Sequence, residues 1–197
     1  MKRIFDFVVA LFGLIILVPL FFVIGFLIKF DDKGPVFFKQ KRVGKGGKLF
    51  MLYKFRSMRV PAFSEQGSFE PGNISRITSI GKFLRRTKLD ELPQLFNVLK
   101  GEMSFVGPRP EVEKWVAVCP ERWERVLSVK PGITDNSSIV YRSEELLLSD
   151  SEDPEKTYKE IILPKKLDFY EEYIENNSFY GDLKLIFKTL LSIIFKK

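Results

Sequence analysis

The sequence predicts a mainly helical α+β domain with one β-hairpin, held to a membrane by an N-terminal helix and by amphipathic helices at the interface. Three observations predict it. From Ile4 to Ile28 the chain reads IFDFVVALFGLIILVPLFFVIGFLI, apolar apart from Asp6 and longer than the roughly 20 residues that cross a bilayer core as a helix. Two segments rich in β-branched and aromatic residues, GPVFFKQKRVG and GKLFMLYKFRSM, flank the turn GKGG, which is the pattern of a hairpin. Leu92, Leu95, Phe96 and Leu99 then fall at i, i+3, i+4 and i+7, the stripe of an amphipathic helix.

The first element is an anchor over residues 1–30. Lys2 and Arg3 precede the apolar run, and Lys29, Lys33, Lys39, Lys41 and Arg42 follow it. A simple span has one clearly basic side, whereas here both flanks are basic. Pro19 deletes a helical hydrogen bond in mid-run, and Gly13 and Gly25 loosen the helix further. A proline-kinked, re-entrant helix that enters and leaves by the cytoplasmic face satisfies both facts, and charge alone leaves a single span equally open. A signal peptide fits poorly, because the run is long and KFDDKGPVFF offers no small-residue cleavage site. So long an all-apolar helix is also rare inside a small soluble domain.

The second part, residues 31–197, carries the hairpin and then a loop over residues 60–78, rich in Pro, Gly, Ser and Asn; loops of that length are often functional. SIGKFLRRT is expected to form a short helix with Ile80, Phe83 and Leu84 on one face. Gly101 should stop the leucine-rich helix. Short helices follow, broken at Pro120 and ended at Pro131 and Gly132, then a helix starting at Asp153 and kinked at Pro164. In SFYGDLKLIFKTLLSIIFKK, Lys184 and Lys188 stand one turn apart among large apolar residues. Such a helix lies in the headgroup plane or docks its apolar face on the core.

A chain of 197 residues with 45% hydrophobic and 14% aromatic content can build a core, and its formal charge of +7 points to an anionic partner. The single cysteine, Cys119, makes no internal disulfide and reads as a small core residue. Histidine is absent, which removes Ser-His and Cys-His triads and the commonest zinc sites.

The segment TKLDELPQLFNVLKGEMSFVGPRP sets Asp90 and Glu91 at the start of the leucine-rich helix. Acidic residues there favour the positive helix end, so capping alone explains the pair. Its surroundings point further, because Arg85, Arg86, Lys88 and Arg109, with Lys54 and Arg56 in YKFRSM, are suited to phosphate. Such cations are expected to lower a carboxylate's pKa and keep it ionised. Magnesium is usually held by one or two carboxylates together with substrate phosphates. An aspartate can also take a phosphoryl group covalently, a route that needs no histidine.

YKFRSM, KLDELPQLFNVLKGEMSFVGPRP and KPGIT, in that order after a proline-bearing anchor, closely resemble the small monotopic bacterial phosphoglycosyl transferases. These belong to the bacterial sugar transferases that prime glycan assembly, typified by the initiating enzyme of bacterial protein N-glycosylation. The resemblance implies that a UDP-sugar donor gives its phospho-sugar to polyprenyl (undecaprenyl) phosphate, releasing UMP. It implies Asp90 as nucleophile through a phospho-sugar enzyme intermediate, with Glu91 assisting, either orienting Mg²⁺ or acting on the incoming phosphate. It places Arg109 on the donor's phosphates, with Arg85 or Arg86 and Lys54 in support, and it makes the anchor re-entrant, with the catalytic domain on the cytoplasmic face of the bacterial inner membrane.

Two departures stand out. Val18-Pro19 replaces the Ser-Pro common in the family, and DNSSIVYRSEE follows PGIT where many relatives continue GWAQVNGR. Asp135 and Arg142 in that stretch mark either another sugar-specificity subgroup or loop variation. Membrane phospholipid is a further expected partner, a homo-oligomer is open, and nucleic acid is not expected because it leaves the apolar N-terminus unexplained. A non-catalytic adaptor that uses its basic surface to hold acidic lipids is the rival from another class.

Overall fold

The structure, a computed structural model, describes residues 1–59 and 76–195. Most of the loop expected over residues 60–78 thus lies outside the described residues. The described chain divides into two compact units, one of residues 1–41, 51–59 and 76–101, the other of residues 42–50 and 102–195.

In the first unit α1 (Lys2–Asp31) runs as one helix through Pro19. Its buried residues, Asp6, Ala10, Ile24 and Ile28, mark a single stripe. Ile24 and Ile28 join Phe55 and Leu84 in a core flanked by Phe21, Val36 and Leu92. The other faces stay bare, with Ile16 73%, Phe22 76% and Phe30 85% exposed. The helix is long and apolar enough to cross a membrane, and this uncovered apolar surface fits membrane association.

Polar contacts tie both ends of α1 to its own unit. Arg3 donates to the carbonyl oxygens of Val98 (2.5 Å) and Leu99 (2.9 Å). At the far end Asp31 Oδ2 accepts from the Ile80 amide at 3.0 Å. Arg56, 4% exposed, bridges to Asp32 at 2.9 Å and also donates to its carbonyl at 2.6 Å. Arg56 is therefore committed to the turn after the anchor rather than to phosphate.

The hairpin forms as expected from β1 (Phe37–Val43) and β2 (Leu49–Phe55). Gly46 and Gly47 take φ of 66° and 75° in its turn, a region closed to most side chains. In α2 (Ser79–Thr87) the Thr78 hydroxyl caps the Gly81 amide at 3.0 Å. Leu84 is buried and Ile80 half-buried, whereas Phe83 is 49% exposed and does not share their face. The last helix of this unit is α3 (Gln94–Lys100), ended by Gly101 at φ 84°.

The second unit is built on Trp115, Trp123, Leu148, Tyr158, Leu163, Leu167 and Tyr170. Its strands β3 (Ser104–Val106) and β4 (Gly132–Thr134) pair in parallel, Ser104 with Gly132 and Val106 with Thr134. The sequence reading missed this pair because three-residue strands carry no alternation to detect. Helices α4 (Glu113–Val116) and α5 (Pro120–Val126) bear out the break at Pro120. Cys119, half-buried, packs against the core.

Asp135 is buried and caps α6 (Asn136–Val140), accepting from the Ser138 amide at 2.9 Å and the Ser138 hydroxyl at 2.6 Å. After α7 (Glu144–Ser149), Asp153 caps α8 (Pro154–Thr157) as expected. The irregularity expected at Pro164 sits before it, as a π-helical turn over Tyr158–Ile162. Pro164 is the second residue of α9 (Leu163–Asn176), directly after that turn in a continuous helical run. The last helix is α10 (Phe179–Ile194), one face of which docks on its own unit. Asp182 and Leu185 are buried, and Thr189 hydrogen-bonds Thr134 at 2.7 Å, while Tyr180, Phe187 and Leu190 stay exposed. Arg142 donates to the Ser192 carbonyl near the end of α10.

Candidate active site

Asp90 and Glu91 do not open the α-helix, contrary to the sequence reading. The chain leaves α2 at Lys88, whose φ of 59° is the only positive value for a non-glycine among the described residues. That left-handed residue costs of order 1 kcal/mol or more and swings the backbone into a 3-10 turn over Leu89–Glu91. Pro93 is then the cap of α3 rather than part of its first turn. The pair thus gains little from the dipole of α3, which falls off within a turn.

What holds the pair in place is α3 itself. Asn97, fully buried, accepts from the Tyr53 amide at 3.1 Å and donates to the Met51 carbonyl at 2.7 Å, stitching α3 to β2. The sequence reading passed over Asn97. Its signal was a polar residue inside the leucine-rich helix, at a position where a side chain must find backbone partners or be exposed.

From β2 comes Lys54, whose ammonium meets Glu91 Oε1 at 3.0 Å with both side chains largely buried. Lys54 is therefore a partner of Glu91 before it is a phosphate contact. Arg85 donates to Ser57 Oγ at 3.1 Å and acts electrostatically on Asp90, as does Lys88. Arg86 is exposed and is not among the charges acting on Asp90. Of the basic residues singled out from sequence, the structure gathers Lys54, Arg85 and Lys88 around Asp90.

Asp90 is 5% exposed and its Oδ1 has no hydrogen-bond partner among the described residues. Burial pushes its carboxyl above the ordinary range. Lys54, Arg85 and Lys88 pull it down and Glu91 pushes it up, and the net direction is upward. This overturns the expectation that neighbouring cations hold the pKa low, because removal from water outweighs them.

Arg109 belongs to the second unit. Its Nη1 makes a long 3.5 Å contact with the Ile133 carbonyl. The loop that carries it is fixed on both sides. Gly107 N donates to Thr134 O at 3.1 Å, and Gly132 N donates to Pro108 O at 2.9 Å. Glu111 then clamps the loop's end, receiving Arg42 at 2.8 Å, the Tyr158 hydroxyl at 2.8 Å and the Val112 amide at 3.1 Å. Burial pushes the Glu111 carboxyl up, but Arg42, Lys166, Tyr158 and Val112 together outweigh it, so it lies below the usual range.

Among the described residues no group of three acidic, histidine or cysteine side chains stands together, so the protein alone offers no metal cage. Magnesium usually takes only one or two protein carboxylates together with phosphates, and Asp90 and Glu91 are the two that would hold it.

The chain belongs to the bacterial sugar transferase family, whose model matches residues 1–196. Among curated proteins it is 52% identical over 110 residues to a putative undecaprenyl-phosphate N-acetylgalactosaminyl 1-phosphate transferase of Bacillus subtilis, covering 56% of this chain and 62% of that one. It is 36% identical over 200 residues to the UDP-N-acetylgalactosamine-undecaprenyl-phosphate N-acetylgalactosaminephosphotransferase of Aeromonas hydrophila, covering 98% of this chain and 43% of that one. It is 33% identical over 207 residues to the exopolysaccharide production protein ExoY of Sinorhizobium fredii, covering 98% of this chain and 84% of that one. The chain thus spans less than two thirds of the first two relatives.

Proposed function

We propose that the chain transfers a phospho-sugar from a UDP-sugar to undecaprenyl phosphate or a similar polyprenyl phosphate, releasing UMP. The observation that carries the reading is Asp90. It is a buried carboxylate with an unpaired oxygen, among Lys54, Arg85 and Lys88, in a chain of the bacterial sugar transferase family. The names of its relatives, which specify undecaprenyl phosphate and sugar-phosphate transfer, support the substrates.

In this mechanism the cations draw the donor's diphosphate to the pair, where low exposure strengthens each attraction. Ionised Asp90 attacks the sugar-bearing phosphorus, and the bridging oxygen leaves with UMP. The phospho-sugar is then held on Asp90 until a phosphate oxygen of the polyprenyl acceptor attacks and restores the carboxylate. Donor and acceptor use one site in turn, so two anionic substrates need not approach together. Glu91, oriented by Lys54, with Asp90 beside it, would hold magnesium, which when bound offsets phosphate charge. Arg109, in the second unit, carries a guanidinium of the kind suited to phosphate.

The anchor reading is that α1 is re-entrant, with both ends on the cytoplasmic face. Its support is that Arg3 and Asp31, at opposite ends of a 30-residue helix, both hydrogen-bond within one unit. The exposed apolar residues of α10 would rest among phospholipid headgroups, near the acceptor's phosphate.

The test is UMP release from UDP-sugars with undecaprenyl phosphate and Mg²⁺. Asp90→Asn should abolish it, and an unchanged rate rejects Asp90 as nucleophile. Labels at both ends of α1 should be reachable only from the cytoplasm; an N-terminus reached from the periplasm rejects re-entry.

A further inference from the structure

Asp90, Gln94 and Asn97 stand at i, i+4 and i+7, and they are 5%, 1% and 0% exposed. Gln94 and Asn97 lie one turn apart in α3, and Asp90 lies in the 3-10 turn that leads into it. Asn97 fastens α3 to β2 through Met51 and Tyr53. The other two members are unsatisfied: Asp90 Oδ1, an acceptor, and Gln94 Nε2, a donor, are both sealed from solvent without a partner among the described residues. Two complementary buried groups one turn apart, each costly to leave unpaired, require an explanation. A glutamine kept only for packing would be better replaced by an apolar side chain of the same size.

We propose that Gln94 is a positioning residue for Asp90, its Nε2–H donating to Asp90 Oδ1 during phosphoryl transfer. The inference rests on the phospho-sugar transfer described above. With Oδ1 sealed off, attack on phosphorus falls to Oδ2. The Oδ2–P bond forms, the bond from phosphorus to the bridging oxygen breaks, and UMP leaves with that oxygen and its electron pair. Oδ1 is then the carbonyl oxygen of an acyl phosphate. In the second half an oxygen of the acceptor phosphate bonds to phosphorus, the P–Oδ2 bond breaks, and the electron pair returns to the carboxylate. Charge returns to Oδ1 at that moment, where a fixed donor lowers the barrier.

The experiment compares the wild-type chain with Gln94→Leu, which keeps the volume and removes the donor, in UMP release at one pH, alongside melting temperature. Gln94→Met serves as a second variant if Gln94→Leu does not fold. The expected result is a kcat about tenfold lower or more, a KM for the UDP-sugar within about twofold, and an unchanged or raised Tm. Wild-type kcat overturns the proposal. So does a variant whose loss of kcat follows a lowered Tm, since that is a packing role. If Asp90→Asn is dead while Gln94→Leu behaves as wild type, the transfer reading stands and only Gln94 is removed. A wild-type chain that releases no UMP from any UDP-sugar overturns both.

Discussion

Asp90→Asn should make the protein more stable while ending its activity. Asp90 is 5% exposed, its Oδ1 is unpaired, and burial outweighs Lys54, Arg85 and Lys88 in setting its pKa, which lies above the ordinary value. A raised pKa means that folding favours the neutral form. A charged group left buried and unsatisfied costs at least about 1–3 kcal/mol. Asparagine removes the charge at nearly the same volume but keeps an unpaired carbonyl, so about 1–2 kcal/mol of that should be recovered. For a chain of this length that is about 2–8 °C in Tm. The sign with pH follows. Below the unfolded pKa both proteins are neutral at this position and should melt together. As pH rises through the raised folded pKa the wild type ionises and loses stability, and the gap opens to its full value. The assay is thermal melting of both proteins in one membrane mimetic at pH 4 and pH 8. An Asp90→Asn protein less stable than wild type at pH 8, or a gain that is the same at both pH values, would refute the reasoning.

Glu111→Gln should do the opposite. Glu111 is ionised against Arg42 and Lys166 and its pKa is lowered, so its stabilisation is present above the unfolded pKa and lost as pH falls through the folded one. Leaving those cations without their partner should cost about 3 kcal/mol at neutral pH, read as a Tm difference that narrows in acid. Gly132→Ala should disrupt the paired loops, because its Cβ would stand 2.1 Å from Gly107 N and 2.4 Å from Gly107 O. Relief by more than about 1 Å breaks the Gly132–Pro108 and Gly107–Thr134 bonds, at a cost of about 3 kcal/mol, and melting with UMP release would register both losses. Finally, UMP release should fall in acid with a limb above the usual aspartate range, since Asp90 must be ionised to attack. Raising Mg²⁺ should move that limb down, and a limb insensitive to Mg²⁺ would place the ion away from Asp90.

The sequence spelled out the elements whose signals are long or chemically distinctive. The apolar run gave α1, the glycines at 46 and 47 gave the hairpin turn, and Gly101 gave the end of α3. The carboxylate pair and its basic neighbours were equally legible as residues. Their arrangement was not. Which of the cations would reach Asp90 depended on a left-handed Lys88 and on the docking of α3 by Asn97, and neither leaves a periodic trace. The direction of the Asp90 pKa failed for a related reason, because adjacent charges are visible in a sequence and the exclusion of water is not. The β3–β4 pair escaped because its register comes from the close approach of Gly132 to Gly107 rather than from alternation.

The central claim is that Asp90 carries the phospho-sugar between donor and acceptor. The most direct measurement is the intact mass of the protein after incubation with its UDP-sugar and Mg²⁺ in the absence of polyprenyl phosphate, followed by peptide mapping. The account requires about one equivalent of UMP and one sugar-phosphate adduct on the peptide containing Asp90, discharged by added acceptor and absent from Asp90→Asn. Turnover to polyprenyl-diphosphate-sugar by the Asp90→Asn protein, or an adduct on another residue, would contradict it.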